Sequence, residues 1–126
     1  MVRQIVAGRK VGELEILVLQ ELWASPEPLT PQDLMDRLPG RRRAYTTVMT
    51  ILKRLIDKGL VERMAQGRTF VYEAAGNRDQ LTARAISQLL TSANDPRAVL
   101  AHLVKDFHDP ELVDELQVIL SKINKL

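Results

Sequence analysis

Cysteine, aromatic side chains and long hydrophobic runs are all scarce in this chain. The absence of cysteine from its 126 residues excludes a disulfide framework, a thiolate metal site and a thiol-based redox sensor, and it fits a reducing cytoplasm. Aromatic residues make up only 4%, and the other apolar residues are mainly leucine, valine, isoleucine and alanine, which favours packed helices over a large sheet. Residues 16–19 form the longest apolar run near the N-terminus, too short to cross a bilayer, and no signal-peptide core is present. We therefore expect a mostly helical, cytoplasmic protein.

Positive charge is concentrated in one segment. The whole chain carries a net charge of +2, but residues 37–72 hold nine basic side chains against two acidic ones, a net charge of +7. Residues 77–126 hold six basic and seven acidic side chains, a net charge of −1. This asymmetry is typical of a protein that presents one face to a polyanion such as nucleic acid. The two parts of the chain are therefore expected to have different roles.

Three short helices are predicted in the first half of the chain. Apolar residues at helical spacing indicate the first over residues 12–24, where a Ser-Pro sequence follows. Thr30 is a favourable N-cap and proline follows it, so a second helix begins there and ends before Gly40. A third helix follows after only a short basic turn, and two helices joined in this way are typical of a helix-turn-helix motif.

The third helix, predicted over residues 44–58, has one apolar face and one unusual face. The apolar face repeats at helical spacing and comprises Val48, Ile51, Leu52, Leu55 and Ile56. The other face holds three threonines within five residues, although threonine costs about 0.5 kcal/mol in a helix relative to alanine. Its hydroxyl can bond to base edges in the major groove, and its methyl group can contact thymine. The candidate base-reading residues are Thr46, Thr47, Met49 and Thr50.

A hairpin of the kind called a wing is predicted after the third helix. Residues 60–64 and 69–73 indicate two short strands, and Gln66-Gly67 supplies the turn between them. Cations around the third helix and on the wing are expected to contact DNA phosphates, which sets register and salt dependence rather than sequence preference. The candidate phosphate contacts are Arg41, Arg42, Arg43, Lys53, Arg54 and Arg68.

The C-terminal part of the chain is predicted to dimerise. Caps at Asn77, Asp95 and Asp109 start three slim helices, the first of which carries Leu81 and Leu89 on its apolar face. Fifty residues in this form cannot bury their own apolar stripes, so a second copy of the chain is expected to cover them. We divide the chain into a DNA-binding domain, 1–76, and a dimerisation domain, 77–126. The candidate dimer contacts are Leu100, Leu103, Val104, Phe107, Leu112, Leu116, Ile119, Leu120 and Ile123.

Several short runs of sequence are distinctive. The most specific is Ala-Tyr-Thr-Thr-Val-Met-Thr-Ile-Leu at residues 44–52, which Arg-Leu and Lys-Gly-Leu-Val follow. Gly-Glu-Leu-Glu at residues 12–15, Leu22-Trp23 and Gly67-Arg68 accompany it. Together these runs resemble the penicillinase-repressor family, also called BlaI/MecI, which includes the copper-responsive CopY type.

The resemblance implies a homodimeric winged-helix repressor of a β-lactamase, antibiotic-resistance or related operon. Such repressors sit on a palindromic operator, typically with TACA and TGTA half-sites, and read bases with the start of the third helix, which matches Thr46, Thr47, Met49 and Thr50 here. The staphylococcal-type branch is released by cleavage at an Asn-Phe bond, and the copper branch by clustered cysteines. This sequence has neither, so the resemblance predicts no inducing signal and identifies no upstream sensor or protease.

The expected fold class is mainly α with a small β-hairpin: an N-terminal winged helix-turn-helix followed by a helical dimerisation module. An alternative of another class is a winged-helix module for protein assembly that never touches DNA, although the +7 segment argues against it. No triad context, phosphate loop or metal-ligand motif suggests an enzyme. His102 and His108 are six residues apart and do not share a helix face well, so neither a metal nor a cofactor is expected.

Overall fold

The computed structural model describes residues 4–124, with side chains as far as Lys122. Its elements are β1 (Gln4–Val6), β2 (Arg9–Val11), α1 (Glu13–Ala24), α2 (Pro31–Arg37), α3 (Tyr45–Asp57), β3 (Val61–Gln66), β4 (Thr69–Ala74), α4 (Arg78–Ser92), α5 (Pro96–Asp106) and α6 (Pro110–Asn124). The chain forms two compact units, Met1–Ile86 and Ser87–Leu126. The predicted fold class, mainly helical with a small wing hairpin, is confirmed.

Helix starts lie where the sequence placed them because their caps are local. At α2 the Asp33 amide donates to Thr30 Oγ1 at 3.0 Å and the Thr30 amide donates to Asp33 Oδ2 at 2.9 Å, a complete capping box. Asn77 and Gln80 form the same reciprocal pair before α4, with both bonds at 2.8 Å. The Asp95 carboxylate accepts from the amides that begin α5. These bonds satisfy amides that have no partner inside a helix.

A first hairpin, β1–β2, was not predicted. Its strands are antiparallel, with Ile5 opposite Lys10, and each is only three residues long. Such strands are too short to show an alternating pattern. In its turn, Ala7 has a φ of 51°, in the left-handed region that glycine usually occupies. Because alanine stands at this position, the sequence gives only a weak turn signal. The hairpin nevertheless contributes two fully buried valines, Val6 and Val11, to the core.

The core of the first unit joins α1, α2, α3 and the wing. Its largest fully buried side chains are Leu19, Leu34, Leu52, Leu55 and Leu60. Leu81 of α4 also belongs to this core and is only 3% exposed. The expectation that Leu81 would face a second copy of the chain is therefore wrong, because the first turn of α4 packs into the core of the first unit instead.

The second unit leaves its apolar side chains exposed. Within the described residues of this unit, α5 has no buried side chain. Seven of the predicted dimer contacts are between 37% and 54% exposed: Leu100, Leu103, Val104, Leu112, Leu116, Ile119 and Leu120. Phe107 is half-buried, and the side chain of Ile123 lies outside the described residues. Soluble proteins rarely leave contiguous apolar surface of this kind uncovered.

Candidate nucleic-acid interface

Helix α3 is held by one face and exposes the other. Val48, Ile51, Leu52 and Leu55 are buried and fix the rotation of the helix about its axis. Ile56, the fifth predicted core position, is half-buried and packs against the same core. Because these positions recur every three to four residues, the side chains on the opposite face must point away from the protein.

The predicted base-reading residues lie on or beside the exposed face. Thr46, Thr47 and Thr50 are exposed, and Met49 is half-buried at the edge of the core. The Thr50 hydroxyl donates to the Thr46 carbonyl oxygen at 2.9 Å. This bond occupies the only hydroxyl proton of Thr50 and leaves its lone pair and methyl group available outward. Toward the outside, the Thr50 hydroxyl can therefore accept a hydrogen bond but not donate one, and the Thr50 methyl group can contact another methyl group.

The C-terminal end of α3 is anchored by an ion pair that the sequence analysis missed. Lys58 Nζ lies 2.5 Å from Glu15 Oε2 of α1 and donates to the Lys10 carbonyl oxygen of β2 at 2.8 Å. Glu15 is the only charged residue among the buried side chains of the described chain. In the sequence, Lys58 is only the last residue of the predicted third helix. It also connects that end to the first helix and the first hairpin.

The three arginines before α3 have different surroundings. Arg42 Nη1 forms an exposed salt bridge with Asp36 Oδ1 at 2.8 Å. Arg43 is half-buried, and its guanidinium donates to the carbonyl oxygens of Pro39 and Arg41, close to the end of α2. Arg41 is exposed, and its side chain makes no hydrogen bond within the described residues. Of these three predicted phosphate contacts, Arg41 is thus the one whose guanidinium is most available to bind a phosphate.

The wing is a regular antiparallel hairpin whose tip is formed by Gly67 and Arg68, one residue beyond the predicted Gln66-Gly67 turn, because Gln66 is the last residue of β3. Glycine at φ 63° turns the chain there, and Gln66 pairs with Thr69. The candidate phosphate contact Arg68 is exposed at this tip. Further down the wing, the Arg63 guanidinium lies over the Phe70 ring, 4.2 Å from its centroid. This pair was not predicted, although the aromatic residue in the second strand of the wing is visible in the sequence.

Two concave surfaces flank α3. The one between α3 and the wing has a volume of about 510 Å³, and its lining includes Met49, Thr50, Lys53, Ile56, Arg63 and Tyr72. The one between α3 and the start of α1 has a volume of about 470 Å³, and its lining includes Lys10, Glu13, Glu15, Thr47, Arg54 and Lys58. The exposed face of α3 therefore forms a ridge between two grooves. Lys53 lines the groove on the wing side, and Arg54 lines the groove on the α1 side.

Comparison with known proteins shows which family the chain belongs to. The family model described as penicillinase repressor matches residues 11–122, nearly the whole chain. The chain belongs to the penicillinase repressor family. Among its relatives is the transcriptional regulator BlaI of Mycobacterium tuberculosis, which is 38% identical over 100 residues that span 76% of this chain and 72% of that protein. The resemblance based on the runs around α3 is thereby confirmed.

A solved structure supports the fold. The chain aligns with MepR, a transcription regulator of the Staphylococcus aureus multidrug efflux pump MepA, with a TM-score of 0.50 and 20% identity over 91% of this chain and 78% of that one. At this identity the likeness concerns the fold alone. The wing and helix-turn-helix of this penicillinase repressor family member thus follow an architecture seen in other regulators.

Membership of this family makes the chain a DNA-binding transcriptional regulator and not an enzyme. No helix in the described residues is long and apolar enough to cross a membrane.

Proposed function

We propose that this chain is a cytoplasmic homodimeric repressor that binds a palindromic operator, with α3 in the major groove and the wing on the DNA backbone. The observation that carries this proposal is the exposed face of α3, where three threonines stand on a helix whose opposite face is buried. A helix fits the major groove, and a helix anchored along its buried face can present its other side chains reproducibly to base edges.

Base reading is assigned to the first two turns of α3. Thr46 and Thr47 are exposed in the first turn, and Thr50 follows one turn later beside Met49. The bond from the Thr50 hydroxyl to the Thr46 carbonyl favours contact with a base amino group, which donates, or with the thymine methyl group. Thr47 has no such bond within the described structure, so its hydroxyl can donate or accept. We expect Thr47 to contribute more of the sequence preference than Thr50.

Phosphate binding is assigned to the cations around this face. Arg41, Lys53, Arg54 and Arg68 are exposed, and none of them takes part in a salt bridge within the described residues. Arg42 would have to exchange Asp36 for a phosphate, and Arg43 would have to leave the carbonyl oxygens it contacts. These two arginines are therefore expected to contribute less to binding than Arg41 and Arg68.

Dimerisation is assigned to the apolar residues of α5 and α6. We expect a second copy of the same chain to cover these residues. In a two-fold dimer the same apolar surface of each copy packs against that of the other, and the dimer has the symmetry that a palindromic operator requires. We keep the functional division into residues 1–76 and 77–126. A truncation that tests it should end after Ile86, because Leu81 is buried in the core of the first unit.

The test of the proposed function is selection of a binding site by the purified full-length chain from random duplex DNA, followed by mapping of its binding sites in the source genome. A palindromic consensus, bound by a dimer upstream of a β-lactamase, antibiotic-resistance or related operon, is the expected result. A reporter fused to that promoter should be repressed when the chain is present. Failure to enrich any sequence, together with weak duplex binding, would instead favour the protein-assembly role.

A further inference from the structure

We propose that Arg63, held in place by Phe70, acts with Lys53 as a clamp for one strand of the DNA backbone in the groove between α3 and the wing. This inference rests on the proposed DNA-binding function, and it adds Arg63 and Phe70 to the predicted phosphate contact Lys53. The clamp consists of Lys53 on α3, Arg63 on β3 and Phe70 on β4.

The strand register places the Arg63–Phe70 pair on the α3 side of the wing. Arg63 is paired with Tyr72, and Ala65 with Phe70. Paired residues, and residues two apart on one strand, share a face of the sheet, so Arg63, Phe70 and Tyr72 lie on one face. Arg63 and Tyr72 line the groove together with α3 residues. The face that carries the pair is therefore the one turned toward α3.

Phe70 lies under the Arg63 guanidinium, whose central carbon is 4.2 Å from the ring centroid. It is 44% exposed and is not part of the hydrophobic core, so core packing does not account for it. Stacking on a ring uses the face of a guanidinium and leaves its N–H groups, which lie in the plane, free to donate. The ring also restricts a long side chain that would otherwise lose conformational freedom on binding. Phe70 is thus a positioning residue for Arg63.

The charge of the groove suits a polyanion. Its lining contains two cations, Lys53 from α3 and Arg63 from the wing, and no acidic residue. The groove on the other side of α3 is lined by Glu13 and Glu15 as well as by basic residues. A DNA backbone beside α3 would therefore meet uncompensated positive charge mainly on the wing side, where phosphates can accept bonds from both cations.

The test measures binding of the full-length chain to its selected operator and to random duplex DNA over a range of salt concentrations. Arg63→Ala should weaken both about tenfold and reduce the slope of log affinity against log salt by about one unit. Phe70→Ala keeps every charge but should weaken both about threefold, whereas Phe70→Tyr, which retains the stacking ring, should bind like the wild type. Arg97→Ala, an exposed arginine of α5, is the charge-matched control.

The possible outcomes separate the clamp from the proposed function. If Arg63→Ala binds like Arg97→Ala while the wild type binds its operator, the clamp is wrong and the DNA-binding proposal stands. If Arg63→Ala loses a unit of slope but Phe70→Ala is unchanged, the positioning role of Phe70 is wrong. If the wild type shows no salt-dependent binding to duplex DNA, both proposals are overturned.

Discussion

Glu15 and Lys58 form an ion pair between the first turn of α1 and the residue that follows α3, with 2.5 Å between Oε2 and Nζ. Their side chains are 10% and 21% exposed, and Lys58 also donates to the backbone of β2. The pair anchors the end of α3 that lies farthest from its threonines. The position of α3 along its own axis is thus set by a polar anchor as well as by apolar packing.

Removing this anchor should destabilise the protein. Glu15→Gln leaves the Lys58 ammonium group in a mostly buried place without its counter-charge, which should lower the free energy of unfolding by about 2 kcal/mol. Urea denaturation followed by circular dichroism measures the change. Asp36→Asn, which breaks the exposed Arg42–Asp36 pair, is the matched control and should cost less than about 1 kcal/mol. Equal costs for the two substitutions would show that the Glu15–Lys58 pair is no stronger than a surface salt bridge.

The wing tip should contribute affinity without sequence preference. Arg68→Ala removes an exposed cation from the turn, so binding to operator and to random DNA should weaken about equally, with a salt slope lower by about one unit. Fluorescence anisotropy with labelled duplexes at several salt concentrations measures both quantities. A loss confined to the operator would assign Arg68 to base reading instead.

The face of α3 should carry the sequence preference. Thr47→Ala should narrow the difference in binding free energy between operator and random DNA by about 1 kcal/mol or more. Thr50→Val is the comparison and should narrow this difference less than Thr47→Ala does. The Thr50 hydroxyl already donates to Thr46, and valine keeps a methyl group at this position. Competition binding with unlabelled random duplex measures the ratio of the affinity for the operator to the affinity for random DNA. A Thr47→Ala protein with unchanged discrimination would move base reading to other residues.

The helices could be predicted from the sequence because their signals are local. Thr30 with Asp33, and Asn77 with Gln80, are three residues apart, so both capping pairs are visible in the sequence. The wing was predicted for the same reason, since its glycine turn lies between two short strand-forming runs. Local chemistry of this kind depends little on the rest of the fold.

Contacts between distant segments could not be predicted. Glu15 and Lys58 are 43 residues apart, and nothing near either one indicates the other. Leu81 was predicted to face a second copy of the chain because it lies on the apolar stripe of its helix, yet its side chain is buried in the core of the first unit. Both misjudgements concern which surface a side chain meets, and that is decided by packing between elements rather than by helical periodicity.

The exposed stripe of α6 should be required for dimerisation. Leu116→Asp places a charge in the apolar surface, so the chain should become monomeric in analytical ultracentrifugation and should bind the full palindrome at least tenfold more weakly, because two linked half-sites no longer cooperate. Ser121→Asp adds the same charge at an exposed polar position of the same helix and should remain dimeric. A dimer that survives Leu116→Asp would place the interface elsewhere.

The capping box of α2 should give the first unit an acid-sensitive contribution to stability. Hydrogen bonds from the Thr30 backbone and side chain lower the pKa of Asp33 from its ordinary value of 3.8, with a smaller contribution from the charge of Arg37. A carboxylate whose pKa is lower in the folded state stabilises the fold above the unfolded-state pKa, and this stabilisation is lost as the pH falls through the folded-state value. The free energy of unfolding of the wild type should therefore decrease below about pH 4 more steeply than that of Asp33→Asn. Urea denaturation between pH 2 and pH 6 compares them, and parallel pH profiles would mean that the Asp33 carboxylate is not coupled to folding.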